Sequence, residues 1–238
     1  MTDAFPESPI PASSVVGQLR AACASDWTTY TYHPFVARVA DGTLAHASFR
    51  HYLIQDYLFL IHFARAYALA VYKADRLSEM REAAGAVNAL LQTEMQLHVE
   101  YCGEWGLNEQ DMIATPESRA TLAYTRYVLE AGMAGDLLDL LVALSPCACG
   151  YGEIGARLIA DSATKLEGNS YRPWIELYGG EEFQQVSRNA VAQIDRVARQ
   201  RLGADPTASP RWPDLVGVFR NATRLEADFW QMGLDRAD

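Results

Sequence analysis

Cys147 directly follows Ser145-Pro146, a pair that reads as a helix N-cap and a first helical position. Its thiol is then expected in the first turn of a restarted helix, where free amides and the helix dipole favour the nucleophilic thiolate. A cysteine also serves as a small apolar filler of cores, and the residues alone leave both readings open. Two carboxylates fall in register with apolar helix faces, where burying a charge without partners is costly. Asp56 lies four residues after Tyr52, seven after Phe49 and four before Leu60. It is either a helix-interior carboxylate satisfied by Arg, Tyr or His, or one that holds a ligand. Glu226 shares the stripe of Phe219, Ala222, Leu225 and Phe229, with Trp230 beside it. Desolvation in such surroundings raises a carboxyl pKa, which suits a group that holds or donates a proton near neutral pH. A buried structural ion pair leaves the same trace in sequence.

Glu94, His98 and Cys102 recur at intervals of four and form a polar strip beside Leu91 and Met95. A dinuclear metal site of the ferritin type needs Glu-x-x-His pairs, and the chain has none. The spacing of Glu94 and His98 instead reads as a local salt link or core hydrogen bond. His33, His46, His51 and His62 make no constellation. The four cysteines supply one C-x-C and no C-x-x-C, so neither a structural zinc site nor a disulfide framework is expected, and the compartment reads as the reducing cytosol. Phe59, Tyr124, Tyr127, Tyr151 and Tyr178 add aromatic surface, which is ordinary core or the wall of a site for a flat ligand.

These residues need elements to hold them, and apolar positions recur at helical spacing almost throughout, with little strand-like alternation. An all-α fold is expected: a single helical bundle domain over residues 13–238, preceded by a flexible leader at 1–12. The clearest helix covers 48–73, and further helices are expected at 78–105, ending at Gly106, and at 116–131, with Thr115 as N-cap and Pro116 at the first position. Asn108 reads as the cap of a short turn between them. Residues 136–163 look helical but broken at Ser145-Pro146, because an interior proline removes a hydrogen bond and clashes with the preceding turn. Gly179-Gly180 punctuates the next segment, followed by helices at 181–201 and 213–233.

The chain has 238 residues and a formal net charge of -10, which repels phosphate backbones, and no window gathers a basic cluster, so no nucleic-acid partner is expected. Charged residues interrupt the apolar stretches before they reach a bilayer's thickness, so no membrane span is expected either.

His33-Pro34-Phe35, Leu53-Ile54-Gln55-Asp56-Tyr57, Glu94-Met95 with His98, Leu144-Ser145-Pro146-Cys147, Gly150-Tyr151-Gly152-Glu153-Ile154-Gly155, Tyr178-Gly179-Gly180-Glu181-Glu182-Phe183 and Leu225-Glu226-Ala227-Asp228-Phe229-Trp230 follow one another across about residues 30 to 235. In kind and order this set resembles the TenA, or thiaminase II, family. The resemblance implies a heme-oxygenase-like fold, usually a homotetramer, with no metal and no cofactor. It implies a small aminopyrimidine substrate, 4-amino-5-aminomethyl-2-methylpyrimidine, whose methylene-bound amine is replaced by water in thiamine salvage. Carried over, Cys147 is the nucleophile and Glu226 the acid-base residue, while Asp56 grips the amino group and adjacent ring nitrogen. Tyr124, Tyr178 and Phe229 match the family's aromatic residues around the substrate. Phe59 departs from a position that commonly holds tyrosine, which keeps a stacking surface but loses a hydroxyl. Two other classes fit the same scaffold, a pyrimidine-binding regulatory protein and an oxidase of the quinone-cofactor-synthase type.

Overall fold

The computed structural model describes residues 8–236. The chain is 80% helical, with no strand among the described residues. Its helices are α1 (Val15–Ala22), α2 (Ala24–Thr31), α3 (Pro34–Asp41), α4 (His46–Lys73), α5 (Leu77–Ala89), α6 (Met95–Glu104), α7 (Glu109–Ala114), α8 (Arg119–Ala134), α9 (Leu137–Ala160), α10 (Arg172–Gly179), α11 (Glu181–Leu202) and α12 (Trp212–Asp235). They group into two compact units, one of residues up to Leu44 with Val142–Ala227, the other of Ala45–Leu141 with the described residues from Asp228 onward.

In the first unit, Glu153 on α9 gathers three donors. Its Oε1 accepts from Trp27 Nε1 at 2.8 Å, and its Oε2 accepts from Ser8 Oγ at 2.9 Å and from Arg20. Of the residues expected to form a flexible leader, Ser8 thus bonds to α9 and Ile10 is 1% exposed, whereas Pro11 and Ala12 are exposed; residues 1–7 lie outside the described residues. Trp27 in turn stacks on Phe219 with ring centroids 5.5 Å apart.

Helix α9 does not break at Pro146. Proline has no N–H to give the carbonyl of Val142, but Ser145 Oγ donates to that oxygen at 2.8 Å in its place. At a fully buried site an unpaired carbonyl costs about 1–3 kcal/mol, so this one hydroxyl lets the helix continue. Downstream, Gly150 admits the ring of Tyr30, whose hydroxyl donates to the Pro146 carbonyl at 3.2 Å. Gly155 similarly lets α9 meet the backbone of Tyr178, since an added Cβ would fall 2.3 Å from the Tyr178 carbonyl carbon. By length and composition α9 could cross a membrane, but 83% of its most apolar stretch is buried inside the protein, as in a core helix.

The second unit is organised around α4. Gln55, buried on that helix, donates from Nε2 to the Pro116 carbonyl at 3.0 Å, and its Oε1 accepts from Ser118 N at 2.9 Å and Thr121 Oγ1 at 2.7 Å. This explains why α8 starts at Arg119 rather than at Pro116. Gln55 takes up the backbone groups before the helix, and Ser118, not Thr115, caps it by accepting from Thr121 N at 3.1 Å. Asn108 caps α7 as expected, accepting from Asp111 N at 2.9 Å. The helix expected at 78–105 contains a π turn at Leu90–Glu94. Such a wider turn alters the phase of the helix beyond it, and Leu91 and Leu97 end up exposed while Glu94 and His98 are half-buried.

An alanine at position 150 would place its Cβ 2.2 Å from Tyr30 Cε1. Gly150→Ala is expected to lower stability by about 1–3 kcal/mol through overpacking, although helix propensity alone favours alanine. Thermal unfolding measures this; an unchanged or higher midpoint would show that the ring does not constrain this position.

Candidate active site

Asp56 sits mid-way along α4, where the apolar stripe carries it inward, and it is 7% exposed. Its Oδ2 accepts from Tyr52 Oη at 3.4 Å and lies 3.7 Å from His98 Nδ1 on α6. His98 is anchored by its other nitrogen, which lies 3.0 Å from the Leu53 carbonyl. Burial pushes the Asp56 carboxyl above the usual carboxylate range, partly offset by His98 and the Tyr52 hydroxyl. The sequence pointed to Glu94 as the partner of His98; the structure gives that place to Asp56, because α6 packs His98 against α4 and not along its own helix. Burial, reinforced by the Asp56 charge, also raises the Glu94 carboxyl.

One turn beyond Asp56, Phe59 stacks on Tyr124 of α8 with centroids 5.0 Å apart and rings 29° from parallel. Phe229 meets Phe59 edge-on at 5.8 Å and Tyr52 edge-on at 6.1 Å. Within the second unit, Asp56, Phe59, Tyr124 and Phe229 are thus joined through Tyr52 in one chain of contacts. Flat rings joined to a buried carboxyl suit a flat heterocycle with a hydrogen-bonding edge.

The other three candidates belong to the first unit. Cys147 is half-buried in the interior of α9 and not in a first turn, because Ser145 carries the helix through Pro146. The helix-dipole argument for its thiolate therefore does not apply. Cys149 is fully buried and burial pushes its thiol up to about 12, which leaves it a poor nucleophile. Cys23 and Cys102 are buried too, so Cys147 is the most accessible of the four thiols. Tyr178, at the end of α10, makes edge-on contacts with Tyr151 and Trp174 at 4.8 Å and with Phe183 at 4.7 Å. Glu226 is 2% exposed on α12, on the buried stripe with Phe219, Ala222 and Phe229.

Sequence reasoning missed Gln55 and Glu153, whose partners lie far along the chain, and it read His62 as isolated. His62 Nε2 lies 2.8 Å from Glu117, whose carboxylate also holds Arg126 at 2.8 Å. Among the described residues no three His, Cys, Asp or Glu side chains gather as a metal site.

The helices and their packing define an all-α protein of the heme-oxygenase-like class. A domain with a heme oxygenase-like fold from Shewanella denitrificans superposes with TM-score 0.70 over 93% of this chain and 92% of that one, at 17% identity. More specifically, the chain belongs to the TENA/THI-4/PQQC family, whose signature matches residues 20–236. A TenA family transcription regulator from Silicibacter sp. is 46% identical, with TM-score 0.88 over 98% of this chain and 99% of that one. The aminopyrimidine aminohydrolase of Halalkalibacterium halodurans is 34% identical over 87% of this chain and 89% of its own.

Because burial raises the folded-state pKa of Asp56, the native protein binds its proton more tightly than the unfolded chain does. Stability is then lost as pH rises through the unfolded carboxyl value toward the folded one. Asp56→Asn removes that penalty. Its midpoint of thermal unfolding is expected to exceed the wild type by about 2–4 °C at neutral pH, with the gap closing below about pH 4. Thermal melts across pH measure this, and a gap that widens on acidification would contradict it.

Proposed function

We propose that the protein is an aminopyrimidine aminohydrolase that cleaves a carbon–nitrogen bond at the methylene group of a 5-aminomethyl-4-aminopyrimidine and releases the hydroxymethyl product, a reaction of thiamine salvage. Relatives of that name at 34% and 35% identity support the reaction class. The observation that carries the reading is that Cys147, at the position where the family resemblance expects a nucleophile, is half-buried while the other three cysteines are buried.

In this reading the Cys147 thiolate adds to an electron-poor ring carbon while a ring nitrogen takes a proton, so that negative charge does not build up on the ring. The electrons of the adduct then expel the amine from the methylene carbon, and the amine leaves with a proton. Water adds to the exposed methylene carbon and loses a proton, and departure of the thiolate restores the aromatic ring. Glu226, shielded from solvent, is suited to exchange these protons. Asp56 holds the ring edge bearing the amino group, and Phe59, Tyr124, Tyr178 and Phe229 supply aromatic surface. The sequence of steps needs no added cofactor. We further propose a cytoplasmic homotetramer; exposed Tyr72 and Met133 in one unit and Tyr32 and Leu177 in the other are apolar surface that assembly would cover.

A regulatory role is the second reading, prompted by the Silicibacter neighbour described as a transcription regulator. A net charge of -10 disfavours direct contact with DNA. Cys147→Ser and Cys147→Ala are expected to abolish ammonia release from the aminomethylpyrimidine while circular dichroism stays native. Full activity in both variants would refute the mechanism, and pyrimidine binding without turnover in the wild type would favour the regulatory reading. A panel of 5-substituted aminopyrimidines and thiamine, read by product mass, identifies the preferred leaving group.

A further inference from the structure

Under the aminopyrimidine reading, on which this inference rests, Asp56 meets a ring edge that offers one acceptor, a ring nitrogen, beside one donor, the exocyclic amine. An ionised carboxylate offers acceptors only, so one of the two contacts is repulsive unless a proton lies between the carboxyl and the ring nitrogen.

The surroundings of Asp56 indicate where that proton is kept. His98 Nε2 lies 3.0 Å from the Leu53 carbonyl, and a carbonyl only accepts, so Nε2 carries a hydrogen. In a neutral imidazole this leaves a bare lone pair on Nδ1, which lies 3.7 Å from Asp56 Oδ2. Lone pair against carboxylate is repulsive. One proton on either partner makes the contact attractive, as imidazolium against carboxylate or as imidazole against carboxylic acid. The separation is too long for a direct hydrogen bond and short enough for a strong charge contact in a buried setting.

The other titratable groups near the pair include Tyr52 on the same helix as Asp56, Tyr57, whose ring stacks against His98 with centroids 6.3 Å apart and whose hydroxyl donates to Glu109, Glu94 in the π turn and Cys102 on α6. Asp56 has no lysine or arginine partner among the described residues, so His98 is the one neighbour able to balance its charge. We propose that Asp56 and His98 share one mobile proton in the free protein, and that this proton lies between the Asp56 carboxyl and the ring nitrogen when an aminopyrimidine binds. His98 is then a positioning residue that acts through Asp56. The count of protons is conserved: Nδ1 gives up its hydrogen to the carboxyl, which donates to the ring nitrogen and accepts from the amine, and none need enter from solvent.

The test is calorimetric binding of 4-amino-5-hydroxymethyl-2-methylpyrimidine from about pH 5 to pH 9, corrected for protonation of the free pyrimidine, with imidazole NMR of the ligand-free protein. Wild-type affinity is expected to fall about tenfold per pH unit once the shared proton is lost. Asp56→Asn carries a fixed donor and a fixed acceptor, and its affinity is expected to be flat over that range. His98→Asn removes the ionisable partner, so that Asp56 must hold the proton alone, and is expected to move the fall to lower pH. The neutral His98 ring is expected to carry its hydrogen on Nε2. Wild-type affinity independent of pH, an Nδ1–H tautomer, or an unaltered pH dependence in either variant overturns the proposal. Absence of binding at every pH instead refutes the aminopyrimidine reading, and this proposal with it.

Discussion

A proline inside a helix leaves the carbonyl four residues upstream without its usual N–H donor, and a buried carbonyl needs a substitute. In α9 that substitute is the Ser145 hydroxyl on Val142, and much of the first unit depends on it. Because the helix is continuous, Cys147, Gly150, Glu153 and Gly155 share one register. Tyr30 can then lie against Gly150 with its hydroxyl on Pro146, and Glu153 can collect Ser8, Arg20 and Trp27. Gly150 and Gly155 are accounted for by the close approach of Tyr30 and of the Tyr178 backbone.

The second unit shows the opposite economy. Gln55 is buried with both ends of its amide hydrogen-bonded, whereas Asp56, its neighbour in sequence, is buried with a long contact to His98 and a long hydrogen bond from Tyr52. Gln55 contributes to holding α8 against α4. Burial disfavours the ionised form of Asp56, and only His98 and the Tyr52 hydroxyl offset that cost. The aromatic chain from Tyr52 through Phe229 and Phe59 to Tyr124 runs on from the residue that donates to Asp56.

Helical periodicity, the charge balance and the ordered motifs made the all-α class, the family and the identity of the candidate side chains legible in sequence, since these depend on residue type and on spacing within one element. The buried stripe of α4 and the Asn108 cap follow from such local rules. The break expected at Pro146 and the start expected at Pro116 failed for one reason. In each case the decisive hydrogen bond came from a side chain whose role depends on packing: Ser145 and Gln55. The pairing of His98 with Asp56 and not Glu94, and the burial that separates Cys149 from Cys147, were likewise decided by tertiary structure, because solvation and the company a polar group keeps are set by chain segments distant in sequence.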